Sequence, residues 1–237
     1  MEGISISKRY YWKKIRTVLI VLAFALTWFL LMLAITANRN GNMTIYVDQT
    51  SATKTLSLSE SGDLSNPRGK LYGPALTNAW DEKEDNIPDY SDLLDGDTSR
   101  NDGITYEHDF TEDEKGNKNY IAYTFYLFNS GSETLDYTMS FDIESVEKDV
   151  DSMIRVRLYE DGVPTTYAKA DKNGQAEVRT QPFESDDVVV SKEYKDFEVG
   201  KVRKYSIVIW IETSDLDTTN DKIGGSLVLS MRFSVVR

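Results

Sequence analysis

Cysteine is absent from all 237 residues. That excludes a disulfide framework, a thiolate nucleophile and any cysteine-ligated metal. Histidine occurs once, as His108, so a histidine-based metal site has no second imidazole to draw on. The G-x-S-x-G, G-x-x-x-x-G-K-[ST] and G-x-G-x-x-G patterns are missing as well, and serine-hydrolase and nucleotide-binding readings fall with them. One S-x-x-K match, Ser145 to Lys148, closes an alternating strand pattern. Residues three apart on a strand face opposite ways, so the pair lacks the helical turn that acyl-enzyme chemistry requires. A non-enzymatic protein is the expectation.

Positive charge is scarce and unevenly placed. The chain carries 27 basic and 39 acidic residues. Lys8, Arg9, Lys13, Lys14 and Arg16 all precede the one long apolar run, with Glu2; setting those aside leaves 22 basic against 38 acidic, a net of −16. A surface of that sign repels nucleic acid and anionic lipid, so no nucleic-acid partner is expected.

What is present in abundance is a stretch without any charge, Thr17 to Ala37 (TVLIVLAFALTWFLLMLAITA). As a helix it would be about 30 Å long, the thickness of a bilayer's hydrocarbon core. The basic cluster before it puts residues 1–16 in the cytoplasm, 17–37 in the bilayer as a single-pass signal anchor, and 38–237 outside the cell. Tyr10, Tyr11 and Trp12 suit the headgroup region. A cleaved signal peptide is the competing reading, but the run is long for one and no clean A-x-A site follows it. A 200-residue exterior domain without a disulfide fits a Gram-positive bacterial surface.

Beyond the run the periodicity is that of strands. Met43, Ile45 and Val47 alternate with Thr44, Tyr46 and Asp48, and Lys54 to Leu58 is a second short candidate. From about 59 to 118 the pattern disappears into an acidic loop region. Asn119 to Phe128 (NYIAYTFYLF) is β-branched and aromatic on both faces, as a strand covered on two sides would be. The turn Asn129 to Ser132 leads into Leu135 to Val146, which has one apolar and one wet face. Ile154, Val156 and Leu158 alternate with Arg155 and Arg157 up to a turn at Asp161 to Pro164. Tyr167 to Ala170, a turn at Asn173-Gly174, Val178 to Thr180 and Val188 to Val190 continue more weakly. Val202 to Thr213 and Ser226 to Val236 close the chain. Eight to ten strands and no further helix predict an all-β, antiparallel β-sandwich or jelly roll. Its core would take Tyr137, Phe141, Ile154, Val156, Ile207, Ile209, Leu229 and Phe233.

Two acidic clusters are the only candidates for a cofactor, and the cofactor would be Ca2+. Residues 81–115 hold fourteen acidic side chains against three basic ones. Within them Asp95 and Asp97 stand at calcium-loop spacing with Asp102 following, although Arg100 occupies the position where an EF-hand needs glycine. The second cluster is Asp215, Asp217, Asn220 and Asp221, between the last two strands. Hard cations need six to eight converging oxygens; a solvated acidic loop is the plainer alternative for both. Trp80, Tyr90 and Tyr106 in the long loop are candidate stacking residues for a glycan.

The segments NYIAYTFYLFNSGSETLDYTMSF, MIRVRLYEDGVPTTYAKA and KYSIVIWIETSDLDTTNDKIGGSLVLSMRF resemble uncharacterised signal-anchor surface proteins of Firmicutes, over about residues 119–237. At the level of fold their exterior domains look like the jelly roll of the TasA and camelysin biofilm-matrix proteins. The group often carries an Asp-Pro-Glu-Cys-like loop where this chain has Ser214 to Asn220, without the Pro and Cys. The resemblance implies a structural or adhesive role at the cell surface, with other surface proteins or further copies of the chain as partners. It also implies strand donation between subunits, with Thr44 to Asp48 as donor, if the N-terminal helix is cleaved.

Overall fold

The computed structural model describes residues 12, 15–28, 43–48, 54–73, 81–82, 84, 87, 120–212, 220–222 and 224–236. The chain divides into residues 1–40 and 41–237. In the first unit residues 15–28 are α-helical, and their large apolar side chains are exposed all round, Leu22, Phe24 and Trp28 among them. The remainder of the expected membrane span, residues 29–37, lies outside the described residues. Among the described residues no helix is long and apolar enough to cross a membrane.

The second unit is two sheets face to face. Its strands are β1 (Met43–Asp48), β2 (Leu56–Ser59), β3 (Lys70–Tyr72), β4 (Asp81–Glu82), β5 (Tyr120–Asn129), β6 (Leu135–Val146), β7 (Ile154–Glu160), β8 (Val163–Ala168), β9 (Gln181–Pro182), β10 (Val188–Phe197), β11 (Val202–Glu212) and β12 (Leu227–Val235). One sheet runs β10-β6-β12-β1-β3, the other β2-β5-β11-β7-β8-β9. Ile211 of β11 already pairs with β7 on one side, so its partner Asp81 of β4 stands on the side of β5, just past where the β5 ladder ends at Trp210.

Period-2 patterning explains the layering. On β6, Leu135, Tyr137, Met139, Phe141 and Ile143 are buried, while Asp136, Thr138, Ser140 and Asp142 between them are not. All eight core residues expected from the sequence are buried, and they join a single cluster fed by both sheets. Phe233 of β12 shows the interdigitation: its ring lies 6.1 Å from Phe125 and 5.3 Å from Tyr205, both on the opposite sheet. Strand β5 is covered on both faces, as its composition predicted.

Three differences from the sequence reading have physical causes. The ladders β1–β12, β4–β11 and β8–β9 are parallel rather than antiparallel; none of these strands is joined to its partner by a hairpin, so nothing forces antiparallel entry. The turn expected over Asp161 to Pro164 is tighter. Asp161 (φ 49°) and Gly162 (φ 85°) alone make it, a two-residue hairpin of the primed kind whose twist matches the strands, and β8 begins at Val163. Val178 to Thr180 forms a turn, not a strand, with Thr180 N–H donating to the Glu177 carbonyl at 3.1 Å.

The expected turn after β5 is built around a buried amide. Asn129 Nδ2 donates to the Glu133 and Phe197 carbonyls at 2.8 and 2.9 Å, and its Oδ1 accepts from Gly131 N–H at 2.9 Å. Asn129→Ala would leave the Phe197 carbonyl short of a partner in a dry site. It should destabilise by about 1–3 kcal/mol, read as a lowered denaturant midpoint with unchanged m.

Candidate functional site

The cation-binding residues expected from the sequence are not brought together within the described part of the chain. Asp95, Asp97, Asp102, Asp215 and Asp217 lie outside the described residues, as do His108, Trp80, Tyr90 and Tyr106. Asn220 and Asp221 begin a 3-10 turn, Asn220–Lys222, and are exposed. Among the described residues no group of three or more His, Cys, Asp or Glu could hold a metal ion. Ser145 is the next-to-last residue of β6, and Lys148 sits in the turn beyond the strand at φ 58°.

Polar side chains converge instead at two other places. The first lies between the sheets. Lys192 and Tyr194 of β10 both donate to the Glu160 carboxylate of β7. Tyr194 stacks on Tyr137 with centroids 4.8 Å apart, Tyr137 and Tyr205 hydroxyls meet at 3.3 Å, and Arg203 donates to Tyr137 Oη at 3.0 Å while its guanidinium lies 4.3 Å from the Tyr194 ring. Burial pushes the Tyr137 phenol up to about 12 against partial relief from Tyr205 and Arg203. Tyr205 and Tyr194 are raised further, again chiefly by burial. At Lys192 burial pulls downward, but the bond and charge of Glu160 outweigh it and the net shift is up. This cluster ties the edge strand β10 to the opposite sheet, its polar groups answering one another.

The second lies on the outer face of the β11 sheet, where Arg155 and Arg157 alternate with the inward-facing Ile154, Val156 and Leu158. Arg155 is buried there and pairs with Glu177 at 3.6 Å. Trp210, fully buried, donates Nε1–H to Glu212 Oε2 at 3.0 Å, and the same oxygen accepts Glu84 N–H at 3.1 Å. Glu84 in turn binds Arg157, whose guanidinium lies 5.1 Å from the Trp210 ring and whose Nε–H reaches Thr166 Oγ1 at 3.0 Å. Arg179 stands 3.7 Å from the other Glu84 oxygen. The start of the acidic region is thus clipped onto the sheet by arginine. Beside this clip opens a cavity of about 500 Å³, lined by Arg157, Tyr159, Thr165, Thr166, Arg179 and Gln181 among others. Alternation of arginine with Ile and Val signals a solvent-facing side unless a later segment covers it, so the sequence held no direct cue. The indirect one was β5, whose two-sided apolarity requires cover on this same face.

The sheet edges complete the surface. β10 is an edge strand with two register shifts against β6 and with Lys192, Glu193 and Lys195 along it, devices that discourage pairing with another chain. At the other side of that sheet β1 is inserted between β12 and β3, with Met43 and Ile45 in the core. Compared with family models, curated proteins and solved structures, the chain matches none.

Proposed function

We propose that this chain is a non-enzymatic, single-pass cell-surface protein, held by residues 17–37 with its C-terminal domain outside a Gram-positive cell and acting through protein contacts in the envelope or matrix. The observation that carries the reading is the helix over residues 15–28. A helix apolar on every side has no polar face for water and is stable only where something apolar surrounds it, and here its large apolar side chains are exposed. The chargeless sequence continues to Ala37, the length a bilayer needs. The strand orders β1-β12-β6-β10 and β5-β11-β7-β8 fit the jelly-roll arrangement of two facing four-strand sheets, which supports the likeness to the matrix proteins.

The direct test is the mass of the N-terminus recovered from cells, with alkaline carbonate extraction of the membrane fraction. An intact start and resistance to extraction are expected; a start near residue 38 with release into the medium would overturn the anchor. That second outcome favours a secreted fibre subunit, for which the parallel seating of β1 against β12 is the supporting observation: a strand placed without a hairpin could come equally from a neighbour.

A further inference from the structure

Strand β7 is entered from a turn that holds a buried acid. Asp151 lies in the 3-10 turn Val150–Ser152, and its side chain is 1% exposed. Its Oδ2 meets Lys169 Nζ at 2.7 Å, while Oδ1, also buried, has no hydrogen-bond partner among the described residues. Backbone bonds fix both ends of the pair. Met153 N–H donates to the Val150 carbonyl at 3.1 Å, and the Met153 carbonyl accepts from Glu212 N–H at 3.0 Å. Lys169 follows Ala168, which is laddered to Arg155 on one side and to Pro182 on the other. A second carboxylate, Asp186, reaches the same ammonium at 3.1 Å from the loop between β9 and β10, and it is 85% exposed.

An ion pair is a poor end state for this geometry. A buried carboxylate with one oxygen unanswered keeps much of its desolvation cost, and the ammonium opposite it is divided between two acids. Glu160 shows the contrast: Lys192 and Tyr194 satisfy one oxygen each. At Lys169 burial pulls the pKa down, but the bonds to Asp151 and Asp186 outweigh it and the amine stays protonated. A nucleophilic amine exists there only after a proton has passed to a carboxylate, and Asp186 is within reach to take it. Joining separate acid and amine is uphill in water, yet groups held in contact reach effective molarities of roughly 10⁵–10⁸ M. That is enough to reverse the balance.

We infer that Lys169 and Asp151 condense to an intramolecular amide, with Asp186 carrying the proton. Nζ passes a proton through Asp186 to the Asp151 carboxyl, the freed amine attacks Cγ, the C–O bond breaks, and water leaves with two of the three ammonium protons. No oxidant is required, and both charges of the pair disappear. In a chain without cysteine the bond ties the open end of the β7–β8 hairpin covalently. It needs no membrane, so it stands apart from the anchor. The test is a time course of intact mass on the full chain, recovered from cells and held in detergent for a week at room temperature. The chain should be lighter by one water, and a tryptic digest should join residues 149–155 to 158–172, with cleavage after Lys169 lost. Lys169→Arg keeps the charge but offers no amine, so it should show full mass; it also separates the amide from water lost to an Asp-Gly succinimide. Asp186→Asn alters an exposed residue and spares the fold, and it should condense at least ten-fold more slowly. A parent chain of full mass, equal water loss in K169R, or condensation of D186N at the parent's rate would each overturn the assignment.

Discussion

Deleting Met43–Asp48 from the full chain is expected to abolish cooperative folding of the sandwich. Met43 and Ile45 are 1% and 0% exposed; losing a core side chain of this size costs about 2–5 kcal/mol each. The two together match a large share of the roughly 5–15 kcal/mol that holds an ordinary domain together. The ladder is lost at the same time. All six residues of β1 are in register with Leu229 to Ser234 of β12, and three also pair with β3. Without β1, β12 becomes a bare edge whose inward side chains, Leu229, Met231 and Phe233, are those of the core, a template for aggregation. The deleted chain should show no cooperative melt by circular dichroism. Because β1 enters parallel and without a hairpin, a peptide of residues 43–50 added in trans should restore the transition. A deleted chain that melts within a few degrees of the intact one would sink the idea that β1 seals the sheet. If folding is lost but the peptide fails to rescue it, the strand needs its own covalent attachment and donation between subunits is excluded.

The strand that matters most here was legible from Met43, Ile45 and Val47 alone, and so were β5, β6, β7, β11 and β12. Each has enough consecutive alternation or two-sided apolarity for burial to dominate local preference. A turn beginning at Asp161-Gly162, though expected to run on to Pro164, and the turn at Asn173-Gly174 were visible through residues that accept positive φ. What escaped detection was held by partners far away in the chain. β3 and β4 have three and two residues, too few to show a period, and exist because Tyr46 and Ile211 offer them ladder positions. β10 continues to Phe197 through Lys192, Glu193 and Lys195 because an edge strand keeps its charges in water. Val178 reads as strand by propensity, yet it is 80% exposed in a turn. The arginine cavity was hidden for the same reason as β3: Arg157 and Arg179 both pair with Glu84, which comes from a segment with no periodicity of its own.

Alkaline titration should reveal the inter-sheet tyrosine cluster as a steep loss of stability above pH 10. Tyr137 is raised from 10.0 to about 12 by burial, and Tyr205, Tyr194 and Tyr123 are raised beyond it, burial again leading and the carboxylates Glu160 and Glu60 adding to it at Tyr194 and Tyr123. In the unfolded chain these phenols lose protons near pH 10, while the folded chain still holds them. The unfolded state then binds fewer protons, so stability falls as pH rises; it is fully present below pH 10 and declines through the folded-state values. Each fully linked phenol contributes about 1.4 kcal/mol per pH unit to that slope, with Tyr194, the most open of the four, contributing less. Lys192 acts with the same sign, since its raised value protects the ammonium in the folded state. Tyr137→Phe separates the titration from the packing. It keeps the ring against Tyr194 and Phe197 but gives up the bonds to Arg203 and Tyr205, so it should lose about 1–3 kcal/mol at pH 7. Between pH 10 and 12, however, its stability should fall less steeply than that of the parent by about one proton's share, and the two curves should converge. Urea midpoints taken at half-unit pH steps measure both slopes. Parallel curves across that window would show that the Tyr137 phenol titrates alike in the folded and unfolded chain, and that its burial between the sheets does not hold its proton.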